Sequence, residues 1–299
     1  MPARTNTVQN SSVVAETFRR LQEQKETTDM EHEQHINNHV LMELENSSSE
    51  EIVQAAALLV SNGIVRFKSL LSPELCDECL KRINTELILA DHDEGTATYD
   101  CTGFGKVHSR AARYDMYLEN DGVYHDALRE MLHCGSTLEG LFGLLFLGLP
   151  SVFHEFSALI SDPGSARQPI HPDSKYTAKP VLYSCFVALQ DVDEAMGPTW
   201  FLPSTHTEAS HDQYNNSNSG GKDAFLSSCE YRKATLRKGD VAVMDSRTLH
   251  CGGPNVSESS RRVLMYFTLR NPEHSAQEMD FPPNGSKWPA LHMEHADFV

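Results

Sequence analysis

Hydrophobic positions along this chain fall into two textures. In the first they recur at helical spacing: Ile52, Ala55, Ala56, Leu59 and Val60 follow Ser49-Glu50-Glu51 and end at Asn62-Gly63. A hydroxyl at the start, acids in the first turn and a closing glycine predict a helix there. Residues 64–67 (Ile-Val-Arg-Phe) read as a strand, and Ser72-Pro73-Glu74-Leu75 opens a second helix with proline at its first position. Residues 111–118 predict another strand, and residues 122–149 helical territory. Beyond that the apolar runs shorten and become β-rich, at 152–160, 181–189, 199–202, 233–236, 241–244 and 263–269. Turn signals such as Asp162-Pro163-Gly164, Met196-Gly197-Pro198 and Lys238-Gly239-Asp240 separate them. Helices first and short strands later predict an α+β fold with a mainly β core, an antiparallel sandwich or jelly roll.

Three stretches break this pattern. Residues 1–46 are polar with almost no apolar face, so they are expected to form a flexible N-terminal segment ahead of a single domain at 47–299. His32, His35 and His39 lie there at helical spacing, but with no fourth ligand in sight they read as a solvated cluster. Residues 91–109 are polar and contain glycine, as a loop over a site would. Residues 213–222, rich in Asn, Ser and Gly, read as a mobile insertion between strands.

Composition narrows the function classes. The chain has 299 residues, 39% of them hydrophobic, which suits a globular protein of one large domain or two small ones. Lys plus Arg number 25 against 42 Asp plus Glu, a formal charge of −17 that repels phosphate backbones and argues against nucleic acid as the main partner. Seven scattered cysteines fit reduced thiols, and Cys76 and Cys79 read as half-buried helix residues before a redox or zinc pair. The first residues have no apolar secretion core, and the longest apolar stretch, 141–149, is roughly half the ~20 residues of a membrane span. A soluble, cytoplasmic protein is expected, monomer or weak homodimer, with no nucleic-acid or membrane partner.

Two pieces carry chemistry. In Gln168-Pro169-Ile170-His171-Pro172-Asp173 the period of an extended chain puts His171 and Asp173 on one face, where imidazole and carboxylate can meet one metal. In Lys238-Gly239-Asp240 followed by Val241 to His250, a turn and a strand deliver a second histidine, with Arg261 eleven positions beyond it. Two imidazoles and one carboxylate on one side of a metal suit oxygen-activating non-haem Fe(II). Singly, each residue has a bland reading: His171 a loop histidine, Asp173 a turn cap, Arg261 a surface cation. Together they favour the metal.

These pieces resemble the phytanoyl-CoA dioxygenase-like family of Fe(II)- and 2-oxoglutarate-dependent oxygenases, over about residues 160–271. Gly197-Pro198-Thr199-Trp200-Phe201-Leu202-Pro203-Ser204-Thr205-His206 is similar to a family turn, and Thr248-Leu249-His250-Cys251-Gly252-Gly253-Pro254-Asn255 to its second-histidine loop. Pro172, Ser204 and Phe186 depart from common family residues without removing a ligand. The resemblance implies a double-stranded β-helix (a cupin-like jelly roll) with flanking N-terminal helices. It implies Fe(II) on His171, Asp173 and His250, with 2-oxoglutarate and O2 as cosubstrates. Gln168, Thr199 and Arg261 match positions that hold 2-oxoglutarate in relatives, and Arg262 is expected to face the other way. Family halogenases replace the carboxylate ligand, so Asp173 argues against halogenation. His206 is expected to be a structural turn residue, His154 to pack near the site, and Ser246-Arg247 to shape the second-histidine loop.

The substrate is the least legible part. For Arg110, Arg113 and Tyr114, contact with substrate and a salt-bridged strand are equally open. The reading chosen is a small carboxylate-bearing metabolite, its acid held by Arg110 or Arg113 and covered by residues 91–109. The reaction expected is hydroxylation, or the desaturation or cyclisation of natural-product biosynthesis, kainoid-type chemistry included. An acyl-CoA hydroxylase of the phytanoyl-CoA type is the alternative, and so is a catalytically silent metal- or ligand-binding module.

Overall fold

The first helix forms over Ser49–Asn62 (α1), and its caps account for both ends. The Ser48 hydroxyl accepts the Glu51 amide at 3.3 Å while the Glu51 carboxylate accepts the Ser48 amide at 3.1 Å, a reciprocal capping box. Gly63, at φ +76°, ends the helix in the left-handed region. A Cβ there would lie 2.2 Å from Thr248 Oγ1, so the turn also needs glycine for close approach to the second-histidine loop.

The computed structural model describes residues 43–44, 48–91, 107–110, 112–216 and 220–274. A short strand at Glu43–Leu44 (β1) pairs in parallel with Ile64–Phe67 (β2). Helix α2 spans Pro73–Asp91, strands β3 and β4 span Val107–Arg110 and Arg113–Tyr117, and helices α3 and α4 span Gly122–Leu132 and Thr137–Leu145. Then come β5 (Val152–Ser161), β6 (Leu182–Ala188) and β7 (Thr199–Phe201). Helices α5 (Glu208–Asn215) and α6 (Gly221–Ser228) precede β8 (Arg232–Lys233), β9 (Val241–Asp245), β10 (His250–Gly252) and β11 (Arg262–Arg270).

Eight strands form a major sheet in the order β1-β2-β9-β6-β11-β5-β4-β3, and three form a minor sheet, β10-β7-β8. Bridges at His171–His250 and Val192–Leu236 extend the minor sheet. Strand β11 shows how the layers divide. Val263, Met265, Phe267 and Leu269 face outward into a core shared with α1 to α4, while Leu264 and Tyr266 face inward with Phe186, Phe201 and Leu236. Burying each large side chain of these two cores contributes about 1.5–3 kcal/mol. The result is the expected double-stranded β-helix with helices on its outer face.

Several expectations change in detail. The helical territory expected at 122–149 is divided into two helices, because Gly135 interrupts at φ +86° and Ser136 caps the next helix through the Glu139 amide at 3.2 Å. The stretch 213–222 is not simply an insertion loop: it contributes the end of α5 and the start of α6. Residues 107–109 belong to β3, and residues 92–106, like His32, His35 and His39, lie outside the described residues. Strand β1 shows that the sheet already begins within the segment assigned to the N-terminal extension. Cys76 and Cys79 are fully buried rather than half-buried, and burial pushes both thiols up to about 12. Among the described residues no helix is long and apolar enough to cross a membrane.

Candidate active site

His171 and His250 are brought side by side by main-chain pairing. Each amide donates to the other's carbonyl at 2.9 Å, and the ring centroids lie 4.7 Å apart. Nδ1 of His171 engages the Pro169 carbonyl at 2.8 Å, and Nδ1 of His250 the Thr248 carbonyl at 3.0 Å. A carbonyl can only accept, so both protons sit on Nδ1 and both Nε2 lone pairs stay available. Those Nε2 atoms face Asp173 Oδ1 at 3.7 and 3.5 Å. The three donor atoms all lie within 4.8 Å of one another.

Asp173 is placed by the second-histidine loop itself. Its amide and that of Ser174 both donate to the Ser246 carbonyl, at 2.9 and 3.0 Å, and the Ser174 and Ser246 hydroxyls lie 2.7 Å apart. Arg247 ties the same loop to Asp245. Burial lowers the pKa of His250, with Asp173 pulling against it, so the imidazole is favoured in the neutral form a metal needs. Two imidazoles and one carboxylate converging from one side fit Fe(II) with open positions opposite.

Beside this cluster lies a second, cationic one. The Gly252 amide donates to Gln168 Oε1 at 2.7 Å and the Gln168 amide returns to the Gly252 carbonyl at 3.0 Å. That fixes the side-chain oxygen and leaves the side-chain nitrogen, Gln168 Nε2, as a donor. Thr199 is buried opposite Gly252 in the β7–β10 register. A Cβ on Gly252 would sit 2.6 Å from Gln168 Oε1 and 2.8 Å from Arg113 Nη1, so a larger residue there would have to push the ends of both side chains aside.

The choice between the two neighbouring arginines is corrected by the strand's phase. Arg261 lies on the outer side, paired through Nη2 with Asp162 at 2.9 Å and through Nη1 with Asn84 of α2 at 3.2 Å. Arg262 shares the inward face of Leu264 and Tyr266 and is 2% exposed. It donates to the Gly197 carbonyl and to Ser161 Oγ, while its Nε is buried with no partner among the described residues. Burial, and then Arg113, lower the Arg262 pKa to about 9. A buried cation with an orphaned donor fits an arriving carboxylate; Arg261 does not offer one.

The other substrate candidates also separate. The Tyr114 ring packs against the outer, helix-side core, not the interior. Arg113, one position earlier, reaches inward to Ser161 Oγ, Gly253 and Ala166. Arg110 pairs with Arg113 across the β3–β4 hairpin, its side chain outside the described residues. Sequence reading weighed Arg262 but placed it on the other face, named Gly252 only as part of the second-histidine loop, and did not single out Ser161. Only the β11 alternation could have signalled the first, and Val263 and Leu264 are both apolar, so it was ambiguous.

A double-stranded β-helix carrying a two-histidine, one-carboxylate cluster defines the class. The chain belongs to the phytanoyl-CoA dioxygenase (PhyH) family, whose sequence model matches residues 59–263. Comparison with curated protein sequences gives no match. Among solved structures, the fold is similar to the epimerase SnoN in complex with Fe3+, alpha ketoglutarate and nogalamycin RO, at 18% identity and TM-score 0.54, covering 80% of this chain and 93% of that one. It is also similar to the non-heme alpha ketoglutarate dependent carbocyclase SnoK from nogalamycin biosynthesis (17%, TM-score 0.51, 73% and 83% covered). AviO1 from Streptomyces viridochromogenes Tue57 gives 19% and TM-score 0.52, with 80% and 99% covered. At these identities the likeness concerns the fold.

Proposed function

We propose that this protein is an Fe(II)- and 2-oxoglutarate-dependent oxygenase that oxidises an unactivated C–H bond of a small metabolite. The observation that carries the reading is the adjacency of two clusters that are incomplete among the described residues: three possible metal donors without a fourth, and a buried guanidinium without a carboxylate. His171, Asp173 and His250 would hold the iron, and Arg262, with Gln168 and Thr199 as hydrogen-bonding partners, would hold 2-oxoglutarate by its distal carboxylate. With O2, the bound metal and keto acid supply the oxidising power, and 2-oxoglutarate leaves as succinate and CO2. The chain's own part is to orient both ligands, favour the neutral form of His250 and exclude water from the interior.

The substrate remains the finer question. The expected grip on a substrate acid rested on Arg110 or Arg113, and the cosubstrate end is where Arg113 lies. The Arg110 side chain lies outside the described residues, so a small carboxylate-bearing metabolite stays the substrate class of this reading. Structural neighbours named as an epimerase and a carbocyclase favour keeping outcomes other than hydroxylation in view.

The experiment is an anaerobic titration of Fe(II) and 2-oxoglutarate, read by the weak visible charge-transfer band, followed by succinate release over amino-acid-derived acids, acyl-CoAs and other small metabolites. The wild type should show the band and Asp173→Ala should lose it. Mass spectrometry then separates a gain of an oxygen from a loss of two hydrogens or an unchanged mass. No band and no succinate with any substrate would leave a silent metal- or ligand-binding module.

A further inference from the structure

We propose that helix α5 positions the metal site: His211 and Tyr214, one turn apart on the helix, hold the peptides that aim the imidazoles of His250 and His171. This rests on the function proposed above and deepens it.

Each of these two imidazoles is oriented by a main-chain carbonyl, that of Pro169 for His171 and that of Thr248 for His250. In both cases α5 grips the adjacent peptide. The Tyr214 hydroxyl donates to the Ile170 carbonyl at 2.9 Å, and His211 Nε2 donates to the Arg247 carbonyl at 2.7 Å. The same two peptides are held at their nitrogen ends as well. The His171 amide donates to the His250 carbonyl at 2.9 Å, and the Thr248 amide to the Asp245 carbonyl at 2.8 Å. Neither peptide plane can turn without breaking two hydrogen bonds.

The gripping side chains are themselves fixed. His211 is 2% exposed, and its ring centroid lies 5.9 Å from that of Tyr176, just beyond Asp173. Arg247 lies over the same Tyr176 ring at 5.6 Å and donates to the Thr177 carbonyl. Half-buried Tyr214 carries Lys222 of α6 on its ring face, with Nζ 3.6 Å from the centroid. Positions three apart share one face of a helix, so a single rigid element reaches both ligand-bearing segments, which are far apart in the chain. Neither His211 nor Tyr214 is among the three donors of the cluster. Their action passes through the peptides: an imidazole whose partner carbonyl tilts loses its aim at the metal. Removing supporting partners of this kind weakens metal binding by about 10–100-fold.

The test separates aim from packing. Wild type, His211→Phe, His211→Gln and Tyr214→Phe, all metal-free, would be titrated calorimetrically with Fe(II) without oxygen, and their urea midpoints measured. His211→Phe keeps a ring but loses the bond to Arg247, and should bind Fe(II) about ten- to a hundredfold more weakly. Tyr214→Phe should bind about three- to tenfold more weakly, the worth of one hydrogen bond. Glutamine offers a donor at similar reach, so His211→Gln should stay within about threefold of wild type. With 2-oxoglutarate added, the visible charge-transfer band should move in His211→Phe and not in His211→Gln. Lower urea midpoints with unchanged Fe(II) affinity would make α5 a packing element and overturn the proposal. Equal weakening by Phe and Gln at 211 would overturn it too, since the hydrogen bond would then be irrelevant. If His211→Phe does not fold, Tyr214→Phe decides, and unchanged affinity there overturns the proposal. Wild type that binds no Fe(II) would instead overturn the oxygenase reading itself.

Discussion

The molecule buries arginines in two different ways. At one end of the major sheet, Arg66 of β2 pairs with Asp240, and just beyond β9 Arg247 pairs with Asp245, all four side chains nearly inaccessible. Asp240 is satisfied further by the Ser69 and Arg237 amides at 3.1 and 2.8 Å, and Arg247 grips both oxygens of Asp245. At the other end, Arg113 and Arg262 have neutral oxygens and each other. A buried cation that serves the fold carries its counter-ion in the same chain. One that lacks it is poised for a ligand.

The contrast predicts opposite consequences for similar truncations. Asp240→Ala strips the carboxylate from a buried pair and should destabilise the protein by about 3–5 kcal/mol, read by denaturant unfolding. A cost under about 1 kcal/mol would mean that the pair is not structural. Arg262→Met removes a charge that no carboxylate balances among the described residues, so the ligand-free protein should unfold within about 1 kcal/mol of wild type. Its 2-oxoglutarate affinity should nevertheless fall by ~2–5 kcal/mol, roughly one and a half to three and a half decades in a calorimetric titration. A variant that unfolds early yet binds normally would erase the distinction between the two regions.

A smaller effect concerns His154 on β5. Burial, and then Arg270, lower its pKa to about 4. The unfolded chain, with histidine near its ordinary 6.5, binds the proton first as pH falls, so stability decreases on acidification. Between pH 7.5 and 5 the loss should be about 2 kcal/mol. His154→Phe should flatten that part of the profile, and an unchanged slope would show that other groups govern it. Smallest of all is Arg261→Ala. Its ion pair with Asp162 is partly solvated, so about 0.2–1 kcal/mol of stability should go, with 2-oxoglutarate binding nearly unchanged. A decade lost in that affinity would restore Arg261 as the anchor.

Much of this was legible in the residues. Caps and turn residues located α1, β2 and α2 closely, because those signals act within a few positions of one another. His171, Asp173 and His250 were readable for a related reason: period two fixes His171 against Asp173, and a short turn and strand deliver His250. Less legible were α5 and α6, where Asn, Ser and Gly hide two short helices that hydrophobic pattern does not announce. Which arginine of β11 faces inward was misread because alternation fixes which residues share a face, not which face is the interior.

By itself the sequence determined the succession from helices to short strands, the jelly-roll class and the three residues of the His-Asp-His cluster, since each depends on local periodicity or on a short motif. The tertiary structure alone decided which side of β11 looks into the barrel. That depends on the helices covering one face of the major sheet and the minor sheet covering the other. It likewise brought Arg113 against Ser161 and Arg262, contacts between strands far apart in the chain, where no pattern within a single strand records what its neighbour will present.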